Sequence, residues 1–274
     1  MSNDPLRSGR YLILLDILGF RELVATRSAE EVYRTIDDAL AYSHYWERMN
    51  GEFSTIYFSD TLIFYQRVAG YGHWAFLDAY ALAGFLYCAI VAKGIPVRGA
   101  VSFGGFTVRL DSSGLHEVYF GDALVEAYDA QGQENWVGIS ICRSAWEPFA
   151  RDDSAAFEAF GKEGVWRRRA DDVLLLNPFS KLRAYHPSYL LGEVPRPYAN
   201  WDAPDFPNEL KALQFLHDKA EQFEVAGDRS RVAMKYRRTV KFLRKVFPDV
   251  YAWALQASQE INLLSSQGKN SSLK

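Results

Sequence analysis

The stretch YLILLDILGF, residues 11–20, decides the fold. Five apolar or aromatic residues run into Asp16, two more apolar residues follow, and then come Gly19 and Phe20. A short continuous apolar run reads as a central strand. A carboxylate at its end loses hydration and needs compensation, from a cation or from backbone N–H groups. Gly19 lets the backbone approach closely, and the N–H groups that open a helix just after it attract phosphate. Strand, acid, glycine and helix start make a corner for a metal ion and a phosphate. The plainer reading of Asp16 is a turn cap.

Working outward, STIYFSDTLIFYQR (residues 54–67) places two β-rich arms around Ser59-Asp60 and reads as a tight hairpin. Between it and the first strand lie a short helix over 20–27 and a longer one to about 49, with Ser28 as its cap ahead of two acids. A long helix covers about 71–92 and KGIP (93–96) breaks it. VRGAVSFGGFTVRL (97–110) and HEVYFG (116–121) read as a second strand pair joined by DSSG. DALVEAYDAQG (122–132) reads as a helix ended by Gly132, and WVGISI (136–141) as a strand. The predicted order is β-α-α-β-β-α-β-β-α-β, an α+β or α/β sandwich around one sheet. Beyond it come a late strand pair in VWRRR and DDVLLLNPF, a proline-rich arm over 185–207, and helices over 208–225 and 228–265. The tail SSQGKNSSLK reads as frayed. We expect a core domain over 1–150 and an extension over 151–274.

The 274 residues are 49% hydrophobic, enough for a large core. A net charge of −3 argues against a general nucleic-acid binder. Cys88 and Cys142 sit in apolar surroundings and read as buried thiols. The start MSNDPLRSGR does not resemble a signal peptide, and WAFLDAYALAGFLYCAIVA (74–92), which carries Asp78, suits a packed core helix better than a membrane span. A cytoplasmic protein with neither membrane nor nucleic acid as partner is expected. The five histidines show no metal spacing. There is no Gly-x-Ser-x-Gly nucleophile, Walker loop or dinucleotide glycine fingerprint. Phosphatases of the haloacid type need a second Asp two residues after the first, where Leu18 stands.

Asp16 and Asp60 are the sharpest pair, and Mg²⁺ or Mn²⁺ favours one or two carboxylates plus substrate phosphates. Arg98, in an apolar stretch, needs an anionic partner: a phosphate, or a nearby acid. In VAMKYRRTVKFLRKV (232–246), Val232, Tyr236, Val240 and Leu243 form an apolar stripe, so most of its cations line a solvated face. Asp122 reads as a helix cap.

Here LILLDILGF resembles the first metal motif of the class III nucleotide cyclases, a strand ending Asp-Ile-x-Gly-Phe. TIYFSD is similar to their second metal motif, and the 44-residue spacing of Asp16 and Asp60 fits. RGAVSFG resembles their Arg-x-Gly-x-x-x-Gly strand, with Ala100 in place of the first Gly, and YFGDALVEAYDAQ their Gly-Asp-x-x-x-x-Ala segment. The ordered set spans about residues 10–142. The resemblance implies a ferredoxin-like core with a mainly antiparallel sheet, flanking helices and a C-terminal helical extension. It also implies a head-to-tail homodimer with sites at the interface, two divalent ions per site, and conversion of a nucleoside triphosphate to a cyclic nucleotide plus pyrophosphate. Asp16 and Asp60 would hold the ions with the backbone of Ile17, Gly19 and Phe20 would flank the phosphates, and Arg98 would clamp charge.

Departures from the pattern narrow the resemblance. The purine-reading Lys or Glu is replaced by Ile56, beside Tyr57, and the family's transition-state Asn and Arg fall on Val125 and Asp129. Lys235 or Arg238 is a candidate replacement. This looks like the pyrimidine cyclases of the bacterial anti-phage system called Pycsar, which implies UTP or CTP as substrate, cyclic UMP or cyclic CMP as product, and a separate effector protein. Tyr57 would touch the base. A degenerate sensor that binds nucleotide without turnover, and a relative that joins two nucleotides, are the alternatives.

Overall fold

Side chains along β1 (Arg10–Ile17) alternate between two apolar layers, as a strand's two-residue repeat requires. Tyr11, Ile13, Leu15 and Ile17 enter the larger core, while Leu12 and Leu14 enter a smaller one on the opposite face. Burial on both faces is why this strand reads as an unbroken apolar run. The computed structural model describes residues 9–258, except 51–52, 71, 111, 114, 116, 170–171, 181 and 183–207. The proline-rich arm, the frayed tail and parts of the NGEF and DSSG turns lie outside the described residues.

After β1 come α1 (Phe20–Thr26), α2 (Ala29–Asn50), β2 (Phe53–Phe58), β3 (Thr61–Gln66), α3 (His73–Val91) and β4 (Val97–Gly104). The sheet order through this part is β2-β3-β1-β4, with every neighbouring pair antiparallel. That is the split β-α-β arrangement of a ferredoxin-like core. Next come β5 (Thr107–Leu110) and β6 (Glu117–Phe120), a separate two-stranded ribbon, and then α4 (Asp122–Gln133). β7 (Ile139–Ile141) joins β4 in the parallel pair of the large sheet. α5 (Arg143–Asp152), α6 (Ser154–Lys162), β8 (Trp166–Arg168) and β9 (Leu174–Leu176) follow, and the two strands extend the sheet to seven. α7 (Asn208–Val225), α8 (Arg231–Val246) and a further helix α9 over 248–258 complete the described chain. The protein is thus α+β, with a central, mostly antiparallel sheet and flanking helices.

α3 packs on the sheet and against α2 and α7. It is the described helix long and apolar enough to cross a membrane, over Trp74–Val91, and 67% of that stretch is buried inside the protein. The start of α2 forms a capping box: Glu31 N–H donates to Ser28 Oγ at 3.2 Å, and Ser28 N–H to Glu31 Oε2 at 2.9 Å. Cys88 and Cys142 are buried and form no disulfide.

Five local expectations are corrected. Residues 97–110 are two strands, because Gly104 and Gly105 pass so close to Asp122 that a Cβ on either would lie 2.9 Å from Oδ1. The break sends β5 out of the sheet. Gly132 lies inside α4, and Asp122 stands one residue past the cap position, which Gly121 occupies. The helix expected over 228–265 is interrupted at Phe247, because Pro248 has no N–H to continue it and opens α9 instead. The buried stripe of α8 is Ala233, Tyr236, Thr239, Val240 and Leu243, while Val232 is exposed. Helices α5 and α6 were not anticipated.

Candidate functional site

Asp16 lies directly opposite Arg98 on β4 and opposite Thr61 on β3. Across the first pair, Arg98 Nε donates to Asp16 Oδ2 at 2.9 Å, with both side chains about four-fifths buried. This leaves Asp16 Oδ1 without a partner among the described residues. The β2–β3 hairpin brings Asp60 beside the same strand end: Ile17 N–H donates to the Asp60 carbonyl at 2.8 Å. The Asp60 carboxylate has no partner among the described residues. Ser59, its neighbour at the tip, is held at φ 57°, a conformation a residue with a Cβ adopts only at a cost. Gly19 sits at φ 74° as the cap of α1, so the turn out of β1 requires glycine or strain. The first N–H groups of α1, beginning at Phe20, have no acceptor within their own helix, as at any helix start.

A second layer of contacts holds Arg98. Its Nη1 donates to the Glu134 carbonyl at 3.3 Å, and the Glu134 side chain, almost fully buried, pairs with Arg169 at 2.7 Å. The segment after Glu134 anchors α8. Val137 N–H donates to Thr239 Oγ1 at 2.9 Å, and Thr239 Oγ1 lies 3.1 Å from the Val137 carbonyl. Trp136 meets Phe242 edge to face, and Arg238 reaches the Asn135 carbonyl at 3.4 Å. One turn before Thr239, half-buried Lys235 is close enough to feel Arg98 and Asp16. Burial, and then the Arg98 guanidinium, push its ammonium below the usual lysine range, while Asp16 pulls it back.

Not every expected residue converges. Strand alternation puts Tyr57 on the face of Phe53 and Leu62, opposite to Asp16 and Arg98, with half its surface exposed. Ile56 and Phe58 occupy the Asp16 side instead, since Phe58 pairs with Thr61 and Thr61 with Asp16. The Phe20 side chain packs against the larger core, so only its backbone is available. Val125 and Asp129 are exposed on α4. Glu134 and Thr239 were not singled out beforehand: a polar QGQEN run carries no sign that Glu134 is buried, and a lone Thr inside a basic helix reads as surface.

No metal-binding group of three His, Cys, Asp or Glu occurs among the described residues. Two carboxylates at one corner still suit a hard divalent cation that completes its shell with substrate and water oxygens. The two unpartnered carboxylate groups, Asp16 Oδ1 and Asp60, are consistent with that donor set.

The chain matches no protein-family model and no curated protein sequence. Among solved structures, it is similar to the dimeric guanylyl cyclase domain of a RhoGC fusion protein from the aquatic fungus Blastocladiella emersonii: 14% identity, 53% of this chain, 84% of that one, TM-score 0.44. A monomeric double mutant of that fungal domain aligns over 62% of this chain and 96% of its own, at 12% identity and TM-score 0.48. The adenylyl cyclase CyaB of P. aeruginosa aligns at 13% identity over 62% of this chain and 93% of its own, TM-score 0.42. At this distance the ferredoxin-like assignment stands on the chain's own strand order and register.

Proposed function

We propose that the protein is a nucleotide cyclase that converts UTP to 3′,5′-cyclic UMP and pyrophosphate; a cytidylate cyclase forming cyclic CMP is the variant reading. The observation that carries it is the corner where Asp16, Asp60 and Arg98 meet beside the glycine-started α1. In the reaction the ribose 3′-oxygen attacks the α-phosphorus. The O3′–P bond forms, the bond from that phosphorus to the α–β bridging oxygen breaks, and pyrophosphate leaves with the electron pair. The hydroxyl proton passes to water.

Asp16 and Asp60, with the Ile17 backbone, would hold two Mn²⁺ or Mg²⁺ ions. Bound there, such ions supply Lewis-acid charge to the hydroxyl and the triphosphate. Arg98 would turn part of its fork from Asp16 to non-bridging phosphate oxygens, a bidentate geometry that guanidinium suits. The Gly19–Phe20 backbone would receive the phosphate chain. Ile56 and Phe58 would wall the base, and an apolar wall without a purine-reading side chain supports a single-ring base.

Exposed Phe58, Phe120, Val125 and Tyr128 lie on and beside the sheet face that carries α4. A homodimer with sites at its interface would cover them. The resemblance to the Pycsar cyclases supports a cytoplasmic role in anti-phage signalling, read by a separate effector protein. One observation favours the sensor alternative: Val125 and exposed Asp129 offer no cationic donor on α4. The test is incubation of the pure protein with ATP, GTP, CTP and UTP plus Mn²⁺, read by mass spectrometry. A cyclic UMP or CMP peak that disappears in Asp60→Ala supports the reading. Nucleotide binding without product moves it to the sensor.

A further inference from the structure

Among the cations of α8, Lys235 stands apart. Arg237 reaches the Phe223 carbonyl at 3.1 Å and Arg238 the Asn135 carbonyl, while Lys241 and Lys245 are exposed. Lys235 is half-buried, yet its ammonium has no hydrogen bond or ion pair among the described residues. A partly desolvated ammonium without a partner is unfavourable, so a position that keeps one points to an anion that is not part of the chain.

Its surroundings say where that anion would sit. Thr239 clamps α8 to Val137 and also lies 3.0 Å from the Lys235 carbonyl. The next residue, Gly138, accepts the Gly99 N–H at 3.0 Å, and Gly99 follows Arg98. Residues four apart share a helix face about one turn apart, so Lys235 projects from the face that Thr239 docks. Asp16 Oδ2 is bonded to Arg98 and Glu134 to Arg169, while Asp16 Oδ1 and the Asp60 carboxylate are the groups proposed to face the divalent ions. The α8 clamp thus holds Lys235 on the side of the chain that carries Arg98, near enough to feel both Arg98 and Asp16, and Arg98 is already bonded to that carboxylate.

We propose that Lys235 is a phosphate-binding cation of the Asp16 site, supplied by the C-terminal helices to the core of its own chain, for a ligand carrying a polyphosphate chain. The proposal deepens the cyclase reading and rests on it for the identity of the ligand. It gives the C-terminal helices a part in the site in addition to packing.

The test compares wild type with Lys235→Met, which keeps the stem and loses the charge, and Lys235→Arg, which restores it. Calorimetric titration with inorganic tripolyphosphate and Mg²⁺ reads binding without chemistry, and cyclic-product kinetics read turnover. Loss of one charge-assisted contact predicts about tenfold to a hundredfold weaker binding in Lys235→Met, recovered in Lys235→Arg, with an unchanged melting temperature. Under turnover the loss would fall on KM as well as kcat. If wild type binds tripolyphosphate and forms no cyclic product, but Lys235→Met binds it more weakly, the inference stands and the cyclase reading falls. Equal binding and equal turnover in wild type and Lys235→Met overturn the inference and leave the cyclase reading intact. Absence of tripolyphosphate binding in wild type overturns the inference, and cyclic-product formation then decides the cyclase reading by itself.

Discussion

Arg98 and Asp16 face each other across the β1–β4 ladder, joined by one 2.9 Å charge-assisted bond and both mostly shielded from water. Their pairing fixes the direction of the carboxylate that the proposed chemistry needs. It also makes the two residues unequal to mutate. Asp16→Asn keeps the shape and removes the charge, leaving Arg98 with a weaker acceptor. Loss of about 1–2 kcal/mol of stability is expected, measured by urea unfolding. Cyclic product should fall by at least about a hundredfold, since no neutral amide holds a divalent ion as a carboxylate does. A fully active Asp16→Asn would remove this residue from the site.

Arg98 makes two kinds of contact, to the Asp16 carboxylate through Nε and to the Glu134 carbonyl through Nη1. Lysine carries the charge but has no planar fork to make both. Arg98→Lys is therefore expected to fold and to bind nucleotide weakly, and Arg98→Ala to lose more in both respects. Full activity in Arg98→Ala would show that the guanidinium only balances Asp16.

Gly99 explains a departure seen in the sequence. A Cβ on Gly99 would lie 2.3 Å from the Leu14 carbonyl oxygen and 2.7 Å from a Leu15 methyl. The Leu14 contact is to backbone in the sheet's centre and cannot rotate away. Position 99, not 100, is where β4 must stay bare, and Ala100 fits without difficulty as a fully buried residue of the smaller core. Gly99→Ala should cost about 1–3 kcal/mol, visible as a lower urea midpoint, and should displace Arg98 with it.

The central strands, the hairpin and the long apolar helix were legible because each carries a single strong pattern. Asp16 and Asp60 were legible because a carboxylate inside or at the tip of such a pattern is conspicuous. The face of Tyr57 was not, since register depends on which residue of β2 pairs with Leu62, and one step inverts every side chain. Helices α5 and α6 went unassigned, since Pro148 and the acids of ARDDSAA interrupt the helical pattern there. The buried state of Glu134 arises from Arg169, 35 residues away, and no local signal reports a contact at that distance.

Thr239 ties α8 to the core by contacts with both the Val137 N–H and its carbonyl. Thr239→Val is nearly the same shape, but it leaves the buried Val137 N–H without an acceptor. A cost of about 1–3 kcal/mol is expected. Activity should fall too if α8 serves the site, because Lys235 is on the same helix face. Thr239→Ser, which keeps the hydroxyl, should restore both. A stability loss without any change in product would mean that α8 packs without participating.

Glu126 on α4 offers a pH test of the sheet face. Burial raises its pKa above the ordinary glutamate value, partly offset by the hydrogen bond that Ser144 donates, while Asp122 raises it further. A carboxyl whose pKa is higher in the folded state than in the unfolded chain holds its proton more tightly when folded. Its contribution is fully present below the unfolded pKa and is lost as pH rises through the folded one. Wild type should therefore lose stability on going from mildly acidic to neutral pH by an amount that Glu126→Gln does not show, because glutamine has no proton to lose. Urea midpoints for the two proteins, taken at intervals from about pH 4 upward, from the ordinary glutamate pKa, measure the difference directly. Parallel curves would mean that Glu126 titrates as an exposed glutamate does and that α4 opens enough to hydrate it.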